Sequence, residues 1–102
     1  MKTLIAALLL TPLAAQADEG ARQQACYAQG DIAEIVFIGA QIGVDKNDFI
    51  AEALTVPKAE RGIIQGIIEM AYAQERLEDF DEQRIWFVNY ILRACYDEAG
   101  LR

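Results

Sequence analysis

Cys26 and Cys95 are the only two cysteines of the chain, and they lie near the two ends of the sequence that follows an apolar leader. They are 69 positions apart. In an exported chain, two such cysteines predict one disulfide, and closing so long a loop stabilises a fold by roughly 4 kcal/mol in the chain-entropy model. A reactive or metal-binding pair is the alternative, but the sequence has no C-x-x-C motif and no local cluster of soft ligands. We therefore expect the first folded segment to be tied to the last.

Residues 1–17, MKTLIAALLLTPLAAQA, have the pattern of a secretory signal peptide. A positive charge at Lys2 precedes the apolar run of residues 4–10, and the small residues Ala15 and Ala17 form an A-x-A cleavage pattern. A transmembrane anchor is the alternative, but the run is much shorter than the roughly 20 residues that a bilayer requires. We expect cleavage after Ala17 and a periplasmic product without a lipid anchor, because neither cysteine directly follows the cleavage pattern.

The remaining residues 18–102 suffice for a single domain with one core of modest size. No later apolar segment is long enough to span a membrane, so we expect no membrane contact after cleavage. The chain has 16 acidic and 9 basic residues and a formal net charge of −7. No stretch gathers Lys and Arg, which nucleic acid and anionic lipid would require. A protein partner, including a basic one, and a homodimer both stay open.

Apolar residues recur with helical spacing and no strand-like alternation occurs, so the sequence predicts an all-α, compact four-helix domain. Gly43 suits the left-handed residue that ends a first helix. Asp45 suits the N-cap of a second helix, with Val44 and Phe49 as its hydrophobic staple, and Pro57 fits the first turn of a third. The predicted helices span residues 21–42, 46–54, 57–76 and 82–98, and the disulfide joins the first helix to the last.

The third predicted helix has the densest apolar pattern and a single narrow polar stripe, so we expect it to be central and packed on several sides. Gly62 and Gly66 lie in this helix, where each costs about 1 kcal/mol relative to Ala. Their four-residue spacing predicts that another helix comes close there. The alternative is that one of the two merely tolerates a loose turn.

The fourth predicted helix begins after the acidic segment EDFDE. Asp81 is the favoured N-cap, because Phe80 and Ile85 would form a hydrophobic staple around it. Asp79 with Glu82 is the alternative, as a capping box.

The same helix separates its aromatic residues from its cysteine. Wound at about 100° per residue, it places Cys95 on one face with aliphatic residues: Ile85, Val88, Ile91 and Leu92. The opposite face holds Trp86, Tyr90, Arg93 and Asp97. Aromatic residues and Arg dominate binding energy at interfaces, so we predict a binding surface at these four residues. The alternative is that Trp86 and Tyr90 lie under the second predicted helix or the N-terminal segment and complete the core.

Several kinds of chemistry are excluded by the composition of residues 18–102. This part of the chain has no His and no Ser, and its only Thr is Thr55. Histidine-assisted nucleophilic catalysis, His-ligated zinc and the usual haem ligation are therefore excluded. A pair of carboxylates could still act in hydrolysis, and the acidic cluster of residues 75–82 lacks the spacing of a calcium loop. We expect no enzyme, no catalytic residues, no metal and no cofactor.

With its leader, its two distant cysteines and the signals at Gly43, Pro57 and Asp81, the chain resembles a loose group of small exported proteobacterial helical proteins with one Cys near each mature end. That group carries no assigned activity, so the resemblance transfers no functional residues. Acid-activated periplasmic chaperones are similar in size, helical content and single disulfide. Secreted-effector immunity proteins are likewise small, exported and often helical.

These observations favour a non-catalytic periplasmic interaction protein that binds a protein partner, as an inhibitor or an immunity protein does. The first alternative is an acid- or stress-responsive periplasmic chaperone, which would expose apolar surface below about pH 5, where carboxylates titrate. A carboxylate-based hydrolase is a minor alternative.

Overall fold

The computed structural model describes residues 18–76 and 78–101, and the expected signal peptide of residues 1–17 lies outside them. The described residues form four α-helices and no strand, which confirms the all-α four-helix prediction. No helix in this part of the chain is both long and apolar enough to cross a bilayer. The helices are α1 (Glu19–Ile42), α2 (Lys46–Ala53), α3 (Lys58–Tyr72) and α4 (Phe80–Ala99).

Helix α1 has the most extensive packing of the four helices, against both α3 and α4. It begins two residues earlier than predicted, since the Asp18 carboxylate accepts a hydrogen bond from the Ala21 backbone N–H at 2.7 Å. It ends at Gly43, whose φ of 96° is the left-handed conformation that glycine adopts without strain. Helix α3, which was predicted to have neighbours on several sides, also packs against two helices, α1 and α2.

Helices α1 and α4 run antiparallel, and the predicted disulfide joins the start of one to the end of the other. The Cα atoms of Cys26 and Cys95 are 5.6 Å apart, a normal separation for a disulfide. Near the other end of the pair, the Phe37 ring of α1 lies 5.7 Å from Phe80 and 5.5 Å from Phe87, measured between ring centroids. Phe37 and Phe87 are fully buried, so this aromatic cluster anchors the core.

Helices α2 and α3 pack together, and α3 also packs on α1. Ile67, Ile68 and Ala71 of α3 belong to the same buried core as Phe37 and Phe87. Asp45 caps α2, as predicted, by accepting a hydrogen bond from the Asn47 backbone N–H at 2.9 Å. The Tyr72 hydroxyl of α3 donates to the Val44 carbonyl at 2.6 Å, and Lys46 forms an ion pair with Glu69 at 2.7 Å. These bonds attach the turn before α2 to the end of α3.

The predicted N-cap at Asp81 was wrong, and the alternative at Asp79 was right. The Asp79 carboxylate accepts a hydrogen bond from the Glu82 backbone N–H at 2.9 Å. This earlier start places Phe80 in the first turn of α4, where its ring reaches Phe37. The exposed Asp81 instead lies 3.7 Å from Arg84, measured between side-chain oxygen and nitrogen.

The close helix contact predicted at Gly62 and Gly66 was also wrong. A Cβ atom added at either position would meet nothing within 4 Å. The close approaches occur at two glycines of α1 instead. A Cβ at Gly30 would lie 2.9 Å from the Leu92 side chain, and a Cβ at Gly39 would lie 2.6 Å from the Phe49 ring.

Candidate functional site

Trp86 and Tyr90 form an exposed aromatic pair on α4. Their side chains are 55% and 48% exposed, so they do not complete the core. The two rings stack on each other, with centroids 5.6 Å apart and planes inclined by 19°. The buried positions of α4 are instead Gln83, Phe87 and Ile91. The pair therefore stands on the surface in a fixed mutual arrangement, because residues four apart are neighbours on a helix.

An open cleft of about 620 Å³ lies beside the indole of Trp86. It is formed where the segment between α3 and α4 meets the first turns of α4. Its lining residues are Gln74, Glu78, Asp79, Glu82, Gln83 and Trp86.

Two hydrogen bonds hold the shape of this cleft. The buried Gln83 side chain donates to the Glu75 carbonyl at 2.6 Å, which holds the connecting segment against α4. The N-cap bond from the Glu82 backbone N–H to Asp79 holds the other side. The same two bonds that position the connecting segment and cap α4 therefore also support the wall of the cleft.

The cleft has a strongly one-sided charge. Among the residues that the structure describes, its charged lining residues are the acidic Glu78, Asp79 and Glu82, and no Lys or Arg lines it. Arg84 points elsewhere, since it forms an ion pair with Glu34 of α1 at 2.6 Å. Within residues 18–76 and 78–101, no three or more His, Cys, Asp or Glu side chains are placed so that they could hold one metal ion. The carboxylates thus border the cleft without converging on a point.

The four residues of the predicted binding surface separate into two groups. Trp86 and Tyr90 contact each other, whereas Arg93 lines a different cleft with Asn89, Leu92, Tyr96 and Leu101. Asp97 is exposed in the last turn of the helix. Of the four residues, Trp86 alone lines the acidic cleft, and Tyr90 stacks on it.

A second aromatic pair flanks the disulfide. Tyr27 and Tyr96 directly follow Cys26 and Cys95 in the sequence, and their rings meet edge to face with centroids 6.4 Å apart. A side-chain hydrogen bond with Tyr27, together with partial burial, raises the pKa of Tyr96 above its ordinary value. This pair closes the end of the α1–α4 packing and lies apart from the acidic cleft.

The sequence prediction did not include the cleft residues Gln74, Glu78 and Glu82. The acidic cluster is visible in the sequence, where it indicates a helix start and lacks the spacing of a calcium loop. The missing information was tertiary, because the cluster becomes the wall of a cleft only when the connecting segment folds back onto α4. Trp86, four residues after Glu82, was the one available signal that aromatic and acidic groups share a face.

A separate apolar groove lies between α1, α2 and α3. Its volume is about 220 Å³, and its lining is mainly aliphatic: Ile32, Ile35, Val36, Phe49, Ala53, Val56, Ile64 and Ile68, with Glu52 and Thr55. Ile35 is 60% exposed at its edge. Ile85 of α4, expected on the apolar side, is exposed as well.

The chain matches no protein-family model, no curated protein and no solved structure.

Proposed function

We propose that this chain is an exported, non-catalytic interaction protein that binds a protein partner through Trp86 and Tyr90 of α4. The observation that supports this proposal most directly is the exposed stack of the two rings, with centroids 5.6 Å apart. Trp and Tyr are enriched among the residues whose truncation costs most at interfaces.

The stack is suited to binding because its geometry exists before a partner arrives. Each ring restricts the other, so less side-chain entropy is lost on association than for two independent side chains. Both rings also combine a large apolar surface with a polar group, the indole N–H and the phenol O–H, which suits a surface that is wet until it is covered. The proposed site therefore needs little rearrangement of the free protein.

A non-catalytic role is supported by the residues that the domain lacks. Residues 18–102 have no His and no Ser, so no nucleophile there can be activated by an imidazole. Two of the polar residues beside Trp86 already have structural roles, since Asp79 caps α4 and Gln83 holds the connecting segment. Export to the periplasm belongs to the same proposal and depends on the leader of residues 1–17.

The test is a double substitution, Trp86→Ala with Tyr90→Ala, in a tagged form of the oxidised protein. It should lower the free energy of unfolding by no more than about 1 kcal/mol, because exposed side chains contribute little packing. It should abolish the recovery of partners from periplasmic extract of the encoding organism, measured by quantitative mass spectrometry.

The matched control is Leu54→Ala with Ile63→Ala, which removes two side chains that are 55% and 48% exposed, one directly after α2 and one in α3. This control should retain the partners. The proposal fails if the aromatic double variant retains the same partners, or if it loses several kcal/mol of stability as core truncations do.

A further inference from the structure

We infer that the acidic cleft beside Trp86 binds an arginine side chain from a basic segment of a protein partner. This inference rests on the proposed function, and it adds the chemistry of the partner. The guanidinium would lie on the side of the indole that faces the cleft, with the carboxylates of Glu78 and Glu82 beside it.

The order of residues along α4 separates the two sides of the indole. Glu82 precedes Trp86 by about one helical turn, and Tyr90 follows it by about one turn. Tyr90 stacks on Trp86 but does not line the cleft. Glu82 and Trp86 both line it. The ring is therefore covered towards the C-terminal end of α4 and borders open space towards the N-terminal end.

Charge complementarity identifies the occupant of that space. A cation over an indole is attracted to the electron-rich ring face, and the charged residues that line the cleft are acidic. Arg76 is the only Lys or Arg in residues 73–79, and it does not line the cleft. Arg84 is paired with Glu34 and Asp81. An acidic or neutral segment would leave the three carboxylates without a counter-charge.

The spacing of the carboxylates favours a guanidinium over a metal ion. The acidic side chains border the cleft without forming a group that could hold one ion. A guanidinium is planar, presents several N–H donors to separate carboxylates and stacks on aromatic rings. A guanidinium can therefore engage carboxylates that border a cleft without converging on one point, which a compact ion cannot.

The probe is a short acetylated and amidated peptide of glycine and serine with two arginines, compared with the same peptide carrying citrulline in place of arginine. Trp86 is the only Trp of the chain, so its fluorescence reports binding directly. The arginine peptide should give a saturable change in emission. The citrulline peptide, which keeps the shape and loses the charge, should bind about tenfold more weakly. Added salt should weaken the arginine peptide only.

Two pairs of substitutions distinguish a local site from net charge. Glu78→Gln with Glu82→Gln should weaken the arginine peptide about tenfold, whereas Glu52→Gln with Glu60→Gln should not change its affinity. The second pair makes the same change in net charge at residues that line other grooves. Asp79 is left intact because it caps α4, and urea unfolding would verify that both variants fold.

The inference is overturned if arginine and citrulline peptides bind equally, if neither binds, or if both pairs of substitutions weaken binding equally. It is also overturned if sedimentation shows a dimer that Trp86→Ala abolishes, since a second copy would then occupy the face. None of the peptide results would overturn the proposed function, which stands or falls with the capture of partners by Trp86 and Tyr90.

Discussion

Four glycines show how differently one residue type is used in two helices of this protein. Gly30 and Gly39 lie on the buried side of α1, where Leu92 and Phe49 occupy the space that a Cβ atom would need. Gly62 and Gly66 lie on the exposed side of α3, facing open space. The first pair permits close packing, whereas the second pair lowers the helix propensity of α3 and permits no contact within the described chain.

The first prediction is that alanine has opposite effects at Gly39 and Gly66. Gly39→Ala should destabilise the protein by about 1–3 kcal/mol, because the new methyl group would displace the Phe49 ring. Gly66→Ala should stabilise it by about 0.5–1 kcal/mol, because alanine is the better helix former and meets no neighbour. Urea unfolding at neutral pH measures both.

Gly62→Ala is the control for the second effect and should stabilise by a similar amount. A destabilising Gly66→Ala would show that something covers this face of α3 in solution, as the four-residue spacing of the two glycines predicts.

At the scale of the helices, local capping chemistry was predictable from the sequence and tertiary choices were not. The turn at Gly43 and the cap at Asp45 appear where predicted, because a left-handed glycine and an Asx cap involve only neighbouring residues. The choice between Asp79 and Asp81 was not local. Asp79 is selected because the earlier start brings Phe80 to the ring of Phe37 in another helix.

Neither the end of α3 nor the candidate site could be predicted from the sequence, and the reason is the same for both. Residues 73–76 have ordinary helix-forming composition, yet α3 ends at Tyr72. The buried Gln83 holds the following segment through the Glu75 carbonyl, and this contact spans two elements. Sequence periodicity could therefore predict that Trp86 and Tyr90 share a face. It could not predict that both are exposed or that Trp86 borders a cleft.

The second prediction concerns the contact between α3 and the turn before α2. Tyr72→Phe should cost about 1 kcal/mol at neutral pH, since the Val44 carbonyl loses its hydrogen bond. Burial, with the charges of Asp45 and Asp48, raises the pKa of Tyr72 above its ordinary value. The folded state therefore holds the phenol proton more tightly than the unfolded state does.

The pH dependence follows from that direction. The contribution of the protonated phenol is fully present below about pH 10, the ordinary tyrosine value, and is lost as the pH rises through the folded pKa. Urea unfolding of wild type and Tyr72→Phe between neutral and strongly alkaline pH should show the two stabilities converging. Tyr90→Phe, a substitution on the surface, should keep the alkaline loss of the wild type. A gap between wild type and Tyr72→Phe that stays constant with pH would contradict the assignment.

At the scale of the whole molecule, α4 packs on α1 although α2 and α3 lie between them in the sequence. The main packing of α4 is on α1, so the contacts that join these two helices connect residues far apart in sequence. Such contacts require a long loop to close before they can stabilise anything. The disulfide between Cys26 and Cys95, 69 positions apart, makes that closure permanent. Helix α4, which carries Trp86 and Tyr90, is consequently held against α1 near both of its ends, by the disulfide and by the Phe37 cluster.

The third prediction is that Cys26→Ala with Cys95→Ala lowers the free energy of unfolding by about 2–5 kcal/mol, mainly by releasing the unfolded chain from this closure. Wild type in excess reductant keeps both sulfur atoms, so comparing it with the double variant separates the loss of the bond from the cavity left at the fully buried Cys26. Reduced wild type should fall close to the variant, and the variant itself should not respond to reductant. Equal urea midpoints for oxidised and reduced wild type would mean that the packing of α1 on α4 holds the ends together without the bond. In that case the rigidity of the Trp86–Tyr90 face would depend on the Phe37 cluster alone.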